Sequence, residues 1–204
     1  MPTMARTQPT KPRRADAEHS IARIQDAAID ALATDPDASM AEIARQAGVV
    51  RATVYKHFPT REDLIAAITQ RAIAEVTDVI AAASPEQGDA TDALRRVIAA
   101  AWRTLGRFHA LVAINAQVPN PELRARHDPV LALLEPLIVR GRRDGSFRPD
   151  VPAEWHLSMI LALVHAASGE LRAGRLAADR IEAALVATVV GAVGGGPGRT
   201  TTTA

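Results

Sequence analysis

Apolar residues recur at the spacing of amphipathic helices along nearly the whole chain, and no segment shows the strict alternation of a half-buried strand. The helical pattern stops where proline, glycine and small polar residues cluster. We therefore predict an all-α protein. Helices are expected over residues 18–34, 39–46, 50–57, 60–82 and 90–117, then from Asn120, from Asp128 to before Gly145, from Pro152 to about 172, and from Ala177 to Val193.

Two short helices separated by a tight turn stand out near the N-terminal end. Ser39 and Glu42 have the spacing of a capping box, which predicts the start of the first short helix. Gly48 is the natural residue for the left-handed cap that ends it. Pro59 stops the second short helix, which closes with aromatic and basic residues. This layout is typical of a helix-turn-helix, whose second helix lies in the major groove of DNA.

The same segment resembles the DNA-binding domain of the TetR family of bacterial transcriptional repressors, over roughly residues 20–68. The resemblance rests on Ile24, Ala27, Ala28, Ile43, Ala44, Ala47, Gly48, Val49, Thr53, Val54, Tyr55, His57, Phe58, Pro59 and Leu64. Val50 departs from the family pattern, which usually has a small polar residue or glycine where the recognition helix is capped. The resemblance implies a three-helix DNA-binding domain followed by a larger helical domain for ligand binding and dimerisation.

Eight residues of this segment are candidate DNA contacts. Arg51 can donate two hydrogen bonds to a guanine edge, although a phosphate contact or a solvated charge is the alternative. Thr53 can touch a thymine methyl group or a phosphate. Tyr55 resembles the family tyrosine whose hydroxyl meets a backbone phosphate. The remaining candidates are expected at phosphates, namely Ser39, Lys56, His57, Thr60 and Arg61.

The last two predicted helices contain little charge. Residues 157–168 and 183–193 include no Asp, Glu, Lys or Arg. A helix without a charged face is buried all round, and a second copy of the chain is the simplest cover for its outer side. The alternative is a monomeric bundle in which one of these helices is central. We predict a homodimer whose interface includes Leu157, Leu161, His165, Leu185 and Val189.

A second face of the long helix combines two large side chains, Trp102 and His109, with Gly106 between them. Trp155 and Met159 lie one helical turn apart on a later helix. We predict that these five residues line a mostly aliphatic pocket for a small apolar ligand. Ordinary core packing is the alternative for each of them.

Composition narrows the classes of function. The net charge is only +1 and the chain has no cysteine, which excludes a histone-like polyanion binder and thiol chemistry. The histidines are scattered without partners at metal-ligand spacing, and no residue pair indicates catalysis. We therefore expect no enzyme activity, metal or cofactor. We find no signal peptide and no uninterrupted apolar run of membrane-spanning length, so we expect a cytoplasmic protein that makes no use of a membrane.

These features together predict a sequence-specific transcriptional regulator. We expect a repressor that binds a pseudo-palindromic operator in double-stranded DNA and is released by a small-molecule ligand. The alternative is a helix-turn-helix regulator controlled by a protein partner, or an activator, without a small-molecule effector. The expected segments are a disordered basic arm (1–15), the DNA-binding domain (16–60), the effector-binding and dimerisation domain (61–193) and a disordered tail (194–204).

Overall fold

The computed structural model describes residues 11–115 and 120–194, which form ten α-helices. Their bounds are Lys11–Thr34 (α1), Met40–Gln46 (α2), Arg51–His57 (α3), Arg61–Ala82 (α4), Ala90–Leu105 (α5), His109–Asn115 (α6), Asn120–Arg126 (α7), Asp128–Arg143 (α8), Ala153–Arg172 (α9) and Ala178–Val193 (α10). No strand forms within these ranges, where the one strand-like contact is an isolated bridge between Phe147 and Gly194. The predicted all-α fold is confirmed.

The N-terminal helix is longer than the sequence pattern indicates. α1 begins at Lys11, whereas we expected a helix only from residue 18 and a disordered arm over 1–15. That expectation is wrong for residues 11–15. Pro12 lies in the first turn of α1, where a missing backbone N–H costs nothing, so the proline does not exclude a helix there. The rest of the predicted arm, and the predicted tail beyond residue 194, lie outside the described residues.

The chain divides into two compact units between Ile68 and Thr69. The first unit holds α1, α2, α3 and the first turns of α4, and its fully buried side chains come from every one of these helices. They include Ile24, Ala28, Leu32, Ile43, Val54, Leu64 and Ile68. The boundary lies later than the predicted one at residue 60, because the first turns of α4 bury apolar residues in this unit.

The second unit is built around an aliphatic core. Its buried members come from α4, α5, α8, α9 and α10 and from the loop after α8. Phe147 of that loop packs against α8, and a Cβ added at Gly141 would lie 2.1 Å from the ring atom Cδ2. Glycine is therefore required at residue 141 for the ring to lie this close to the helix.

The predicted long helix over 90–117 is interrupted. Gly106–Phe108 forms a 3₁₀ turn between α5 and α6. Because a 3₁₀ turn has three residues per turn instead of 3.6, the apolar face changes phase at this point. The stretch Ala90–Asn115 is long and apolar enough to cross a membrane by length and composition. In the structure the buried side of α5 lies in the core of the second unit.

Three of the residues that we predicted at a dimer interface pack in the subunit's own core. Leu157, Leu185 and Val189 are at most 4% exposed, so the expectation that they face a partner is wrong. Helical periodicity shows which residues share a face, but an uncharged helix does not reveal which face is turned inward. Between their first and last turns, the exposed positions of these helices carry small uncharged side chains: Ser158, Ala162 and Ala166 on α9, and Ala183, Ala184, Ala187, Thr188 and Gly191 on α10.

Candidate DNA-binding surface and ligand cavity

The turn between α2 and α3 is fixed by a left-handed glycine and by an arginine of α1. Gly48 has a φ of +64°, and the amide of Val49 donates to the carbonyl of Ala44 at 3.0 Å. The Arg23 guanidinium donates to the carbonyl oxygens of Ala47 and Gly48. A Cβ at residue 48 would lie 2.7 Å from Arg23 Nη2. Glycine therefore permits both the turn and the arginine contact that hold α3 in place.

α3 presents one exposed face that is rich in hydrogen-bond donors. Arg51, Ala52, Tyr55 and Lys56 are exposed, while Val54 is completely buried. The Arg51 guanidinium lies 5.3 Å from the centroid of the Tyr55 ring, and its Nη2 donates to the Tyr55 hydroxyl at 3.2 Å. Two cations, a phenol and a methyl group on one short helix match the chemistry of phosphates and base edges in a major groove.

The other predicted DNA contacts on α3 are less exposed, and the residue before the helix does not cap it. Thr53 and His57 are half-buried beside the exposed face. Val50 is the N-cap residue of α3; it makes no side-chain hydrogen bond and is 69% exposed. The departure from the family pattern noted at this position thus leaves the first amides of α3 without a side-chain partner.

Three other predicted DNA contacts take part in structural hydrogen bonds at helix starts. Ser39 caps α2 through its hydroxyl. Thr60 and Asp63 cap α4 reciprocally, since the Thr60 amide donates to Asp63 Oδ2 at 3.0 Å and the Asp63 amide donates to Thr60 Oγ1 at 3.0 Å. Arg61 donates to the carbonyl of Pro36, in the connection between α1 and α2. Their contacts with phosphate stay predictions.

The second unit contains an apolar cavity of about 80 Å³. Its wall is aliphatic except at Thr69, Asn115, His127 and His165, and no Asp, Glu, Lys or Arg is among its described lining residues. The aliphatic wall comes from α4, α5, α6, α8 and α9. It comprises Ala72, Ile73, Val76, Ile80, Val97, Ile98, Ala101, Leu105, Leu111, Val112, Val130, Leu131, Leu134, Ile160, Leu161 and Val164.

None of the five predicted ligand residues lines this cavity. Trp102 and His109 are buried against each other, with ring centroids 4.5 Å apart. Met159 packs against the core, whereas Trp155 is 63% exposed. Gly106 is exposed, and a Cβ added there would meet nothing within 4 Å. The face of α5 that lines the cavity is the adjacent one, with Ile98, Ala101 and Leu105, so the predicted pocket was placed on the wrong side of the helix.

A buried amide joins three helices at the rim of the cavity. Asn115 Nδ2 donates to Thr69 Oγ1 of α4 at 2.9 Å and to the Leu111 carbonyl at 3.0 Å. Its Oδ1 accepts a hydrogen bond from Arg126 Nη1 of α7 at 3.0 Å, and Arg126 also pairs with Glu122 at 2.7 Å. Hydrogen bonds therefore occupy both ends of this amide.

Two histidines of the cavity wall lie against each other. The rings of His127 and His165 lie edge to face, with centroids 5.6 Å apart. The pKa of His165 is lowered to about 4, mainly by burial and in part by the neighbouring His127, against a backbone contact with Val112 that raises it. Nδ1 of His165 is buried without a hydrogen-bond partner. His165 and Leu161, which we predicted at a dimer interface, are thus cavity residues.

Sequence reasoning missed Ala52 and most of the cavity wall. Ala52 follows Arg51 directly and precedes Tyr55 by three residues, so the helical period of α3 alone would have placed it on the exposed face. The cavity residues Thr69, Ala72, Ile73 and Val76 belong to the apolar pattern of α4. That pattern is the same for a residue in a packed core and for a residue beside a cavity, and nothing in the sequence separates the two.

Comparisons with known proteins agree with this architecture. Residues 24–68 match the family model of bacterial regulatory proteins of the tetR family. The HTH-type transcriptional repressor LfrR of Mycolicibacterium smegmatis is 34% identical over 145 residues, covering 70% of this chain and 74% of LfrR. The HTH-type transcriptional regulator NfxB of Pseudomonas aeruginosa is 28% identical over 155 residues, covering 73% of this chain and 81% of NfxB.

A solved structure shows the same relationship over a longer span. The TetR-like regulator LfrR from Mycobacterium smegmatis in complex with proflavine superposes with a TM-score of 0.68 at 28% identity, covering 86% of this chain and 97% of that structure. The family match lies on the helix-turn-helix, and the matches to LfrR extend well beyond it. The chain belongs to the TetR family of bacterial transcriptional regulators.

Proposed function

We propose that the protein is a cytoplasmic homodimeric repressor that binds a pseudo-palindromic operator and leaves it when a small apolar ligand enters the second unit. The exposed face of α3 supports the DNA-binding part of this proposal. It carries Arg51 and Lys56, whose side chains donate hydrogen bonds to base edges and phosphates, beside Tyr55. Two copies of α3 about 34–36 Å apart would reach successive major grooves on one side of the duplex.

The outer faces of α9 and α10 support a homodimer. The exposed positions between their first and last turns, such as Ala162, Ala166 and Ala187, are small and uncharged. Small side chains let helices from two subunits approach closely, and the absence of charge removes the cost of burying an ion. The interface that we propose therefore uses these outer residues in place of the core residues Leu157, Leu185 and Val189.

The course of α4 is the observation that carries the ligand-response part of the proposal. Its middle and C-terminal part lines the cavity through Ala72, Ile73 and Val76. Its first turn is tied through Arg61 to the Pro36 carbonyl, in the connection between α1 and α2. A ligand that shifts α4 thereby acts on the segment that leads into the helix-turn-helix. By linkage, a ligand that weakens operator binding about tenfold must itself bind the free protein about tenfold better than the DNA-bound one.

The cavity favours a small-molecule effector over control by a protein partner alone. A regulator that responds only to a partner protein has no need of an internal apolar space, and an unfilled cavity is destabilising. The similarity to LfrR, which is named as a repressor, favours repression over activation.

Operator selection tests the DNA-binding part. Double-stranded oligonucleotides enriched from a random library should share two inverted half-sites whose centres are about 10–10.5 base pairs, or a multiple of that, apart. Footprinting of the region upstream of the chain's own gene should protect a matching sequence. Enrichment of no sequence, or of a single asymmetric half-site, would contradict the proposal.

A pair of variants tests the ligand response. Ala101 lines the cavity, so Ala101→Leu should fill part of it and abolish release from the operator by any apolar effector. Gly106 is exposed, with open space beyond its Cα, so Gly106→Leu is the matched control and should respond as the unaltered protein does. Both variants should keep operator affinity. Release that is equally strong in Ala101→Leu would place the effector site elsewhere.

A further inference from the structure

One small residue occupies the middle of the exposed face of α3. Ala52 is exposed, and it lies two positions before Val54, which is completely buried. At 3.6 residues per turn, these two side chains point about 200° apart around the helix. The Ala52 methyl group is therefore directed away from the core of the first unit. Tyr55 and Lys56, three and four positions later, lie beside it on the same face.

The long side chains around Ala52 leave its methyl group uncovered. The Arg51 guanidinium lies over the Tyr55 ring, 5.3 Å from the ring centroid, and donates to the Tyr55 hydroxyl, while Ala52 stays exposed. In a helix-turn-helix, the first residues of the second helix contact base edges in the major groove. Ala52 is the second residue of α3, so an uncovered methyl group lies in the part of the helix that reads bases.

A methyl group at this position favours one of the four bases. It neither donates nor accepts a hydrogen bond, so a donor or acceptor of a base edge that is covered by it loses its hydrogen bond to water without a replacement. Thymine alone presents a methyl group in the major groove, at its C5 atom. Contact between the two methyl groups buries apolar surface on both sides and leaves no hydrogen bond unmade.

We infer that Ala52 is a specificity-determining residue, which reads a thymine in each operator half-site through contact between its methyl group and that of the base. The Cα atoms of consecutive residues are about 3.8 Å apart, close to the rise of roughly 3.4 Å for one base step. The thymine should therefore lie within about two base pairs of the base that Arg51 contacts. This inference rests on the DNA-binding part of the proposed function and adds a named base to the operator.

Removal of one methyl group from the DNA tests the contact directly. Deoxyuridine pairs as thymidine does and differs from it by the C5 methyl group alone. Each thymine of the half-site in the selected operator is replaced in turn by deoxyuridine, and the affinity of the full chain is measured by fluorescence anisotropy. At one thymine, the replacement should weaken binding of the unaltered protein about fourfold per half-site, as the loss of one buried methyl group implies.

Two glycine variants connect this penalty to Ala52. Ala52→Gly removes the methyl group from the protein, so the ratio of affinities for the thymine and deoxyuridine operators should fall to about one. Ala41→Gly is the matched control, because Ala41 is likewise the exposed second residue of a seven-residue helix, α2. Both variants place glycine at the same position of a helix, at a similar cost in helix stability. Ala41→Gly should keep the full penalty for deoxyuridine.

Thr53 carries the other methyl group near this face, and it is half-buried. Thr53→Ser removes that methyl group and keeps the hydroxyl, so the penalty for deoxyuridine should be retained in this variant. Three results would each overturn the inference: a penalty that persists in Ala52→Gly, a penalty that disappears in Thr53→Ser, or no penalty at any thymine with the unaltered protein.

The outcome can be separated from that of the proposed function. If an operator with two inverted half-sites is selected but no thymine shows the penalty, the DNA-binding part of the proposed function stands and the role of Ala52 is overturned. If the penalty is found but apolar ligands do not release the operator, the role of Ala52 stands and the proposed ligand response fails. If no sequence is selected, both the proposed operator binding and the role of Ala52 are overturned.

Discussion

At the scale of single residues, Arg51 and Tyr55 form a pair that the proposed DNA contacts would replace. The guanidinium lies over the ring and donates to the hydroxyl at 3.2 Å, yet both side chains are exposed and belong to the outward face of α3. An exposed contact of this kind contributes little to stability. Base and phosphate contacts can therefore replace it at little cost when α3 enters a major groove.

Substitution of Arg51 and Lys56 should separate base recognition from phosphate contact. Arg51→Ala is expected to weaken binding to the selected operator by about 1–3 kcal/mol and to leave binding to random duplex nearly unchanged. Lys56→Ala should weaken both by similar factors and reduce the slope of log affinity against log salt by about one. Fluorescence anisotropy over a salt series measures both effects. Equal losses on operator and random DNA for Arg51→Ala would show that Arg51 contacts phosphate.

His156 is a buried histidine whose two ring nitrogens have no hydrogen-bond partner, and it is only 1% exposed. Replacing such a group with an apolar side chain of similar volume removes its desolvation cost. We expect His156→Leu to raise the free energy of unfolding by about 1–2 kcal/mol. Urea denaturation at pH 8 measures the change while the ring is neutral in both the folded and the unfolded states.

His109→Leu is the matched control for this prediction. His109 is also buried, but its Nδ1 lies 3.2 Å from the Ser168 hydroxyl, so its removal loses a hydrogen bond as well as a polar group. His109→Leu should therefore give no comparable gain. A loss of stability in His156→Leu, or equal gains in both variants, would argue against an unsatisfied histidine at residue 156.

At the scale of helices, the sequence predicted those elements that local chemistry determines. The capping pairs at Ser39 and Thr60 and the left-handed cap at Gly48 are all present. Each depends on residues within four positions of one another, so local spacing is sufficient to identify them. The outward face of α3 follows in the same way, because Val54 is the one residue of that short helix that is buried.

The features that the sequence did not predict depend on which face of a helix is turned inward. α5 carries two apolar faces, and the face with Ala101 lines the cavity while Trp102 packs against His109. The 3₁₀ turn that begins at Gly106 changes the helical phase between Trp102 and His109. On α10, Leu185 and Ala187 belong to equally uncharged faces, but Leu185 is buried and Ala187 is exposed. Side-chain volume, which polarity patterns ignore, distinguishes such faces.

The uncapped start of α3 leads to a prediction about this helix. Val50 has the extended backbone of an N-cap residue, with φ of −73° and ψ of 147°, but no side-chain oxygen. Since Val50 is 69% exposed, Val50→Ser should lose little packing and add a cap, raising the free energy of unfolding by about 1 kcal/mol. Ser39→Ala, which removes the existing cap of α2, should lower it by a similar amount. In thermal denaturation the melting temperatures of the two variants should shift in opposite directions. A loss of stability in Val50→Ser would instead show that the valine side chain stabilises the protein through its packing contacts.

At the scale of the whole molecule, buried histidines make stability depend on pH. The pKa values of His109, His156 and His165 are all lowered mainly by burial, that of His165 to about 4. The unfolded chain binds protons at these residues near pH 6.5, before the folded chain does, so stability is complete above that pH and declines below it. The carboxyl of Asp150, whose pKa is held at about 2 by Arg148, stays ionised throughout this window.

Stability should accordingly fall between pH 7 and pH 5, with His165 alone accounting for roughly 1–2 kcal/mol. Urea denaturation of the unaltered protein and of His165→Leu at the two pH values measures this contribution. The variant should lose less stability on acidification, because it lacks one of the groups that take up a proton on unfolding. The same pH dependence in both proteins would mean that the pKa of His165 does not differ between the folded and the unfolded states.

The proposed dimer interface lies on the outer faces of α9 and α10, where a charge can be introduced without disturbing the core of the subunit. Ala162 and Ala166 are exposed, so glutamate at both positions is compatible with a folded subunit, but in a dimer it would bury like charges against each other. We expect the unaltered protein to sediment as a dimer at micromolar concentration and Ala162→Glu/Ala166→Glu to sediment as a folded monomer with weakened operator affinity.

Ala132→Glu, which changes an exposed alanine of α8, is the matched control and should remain dimeric. Leu185→Glu, at a core position that is 4% exposed, should unfold the subunit instead of dissociating the dimer. A monomeric unaltered protein, or a double variant that remains dimeric, would contradict this interface.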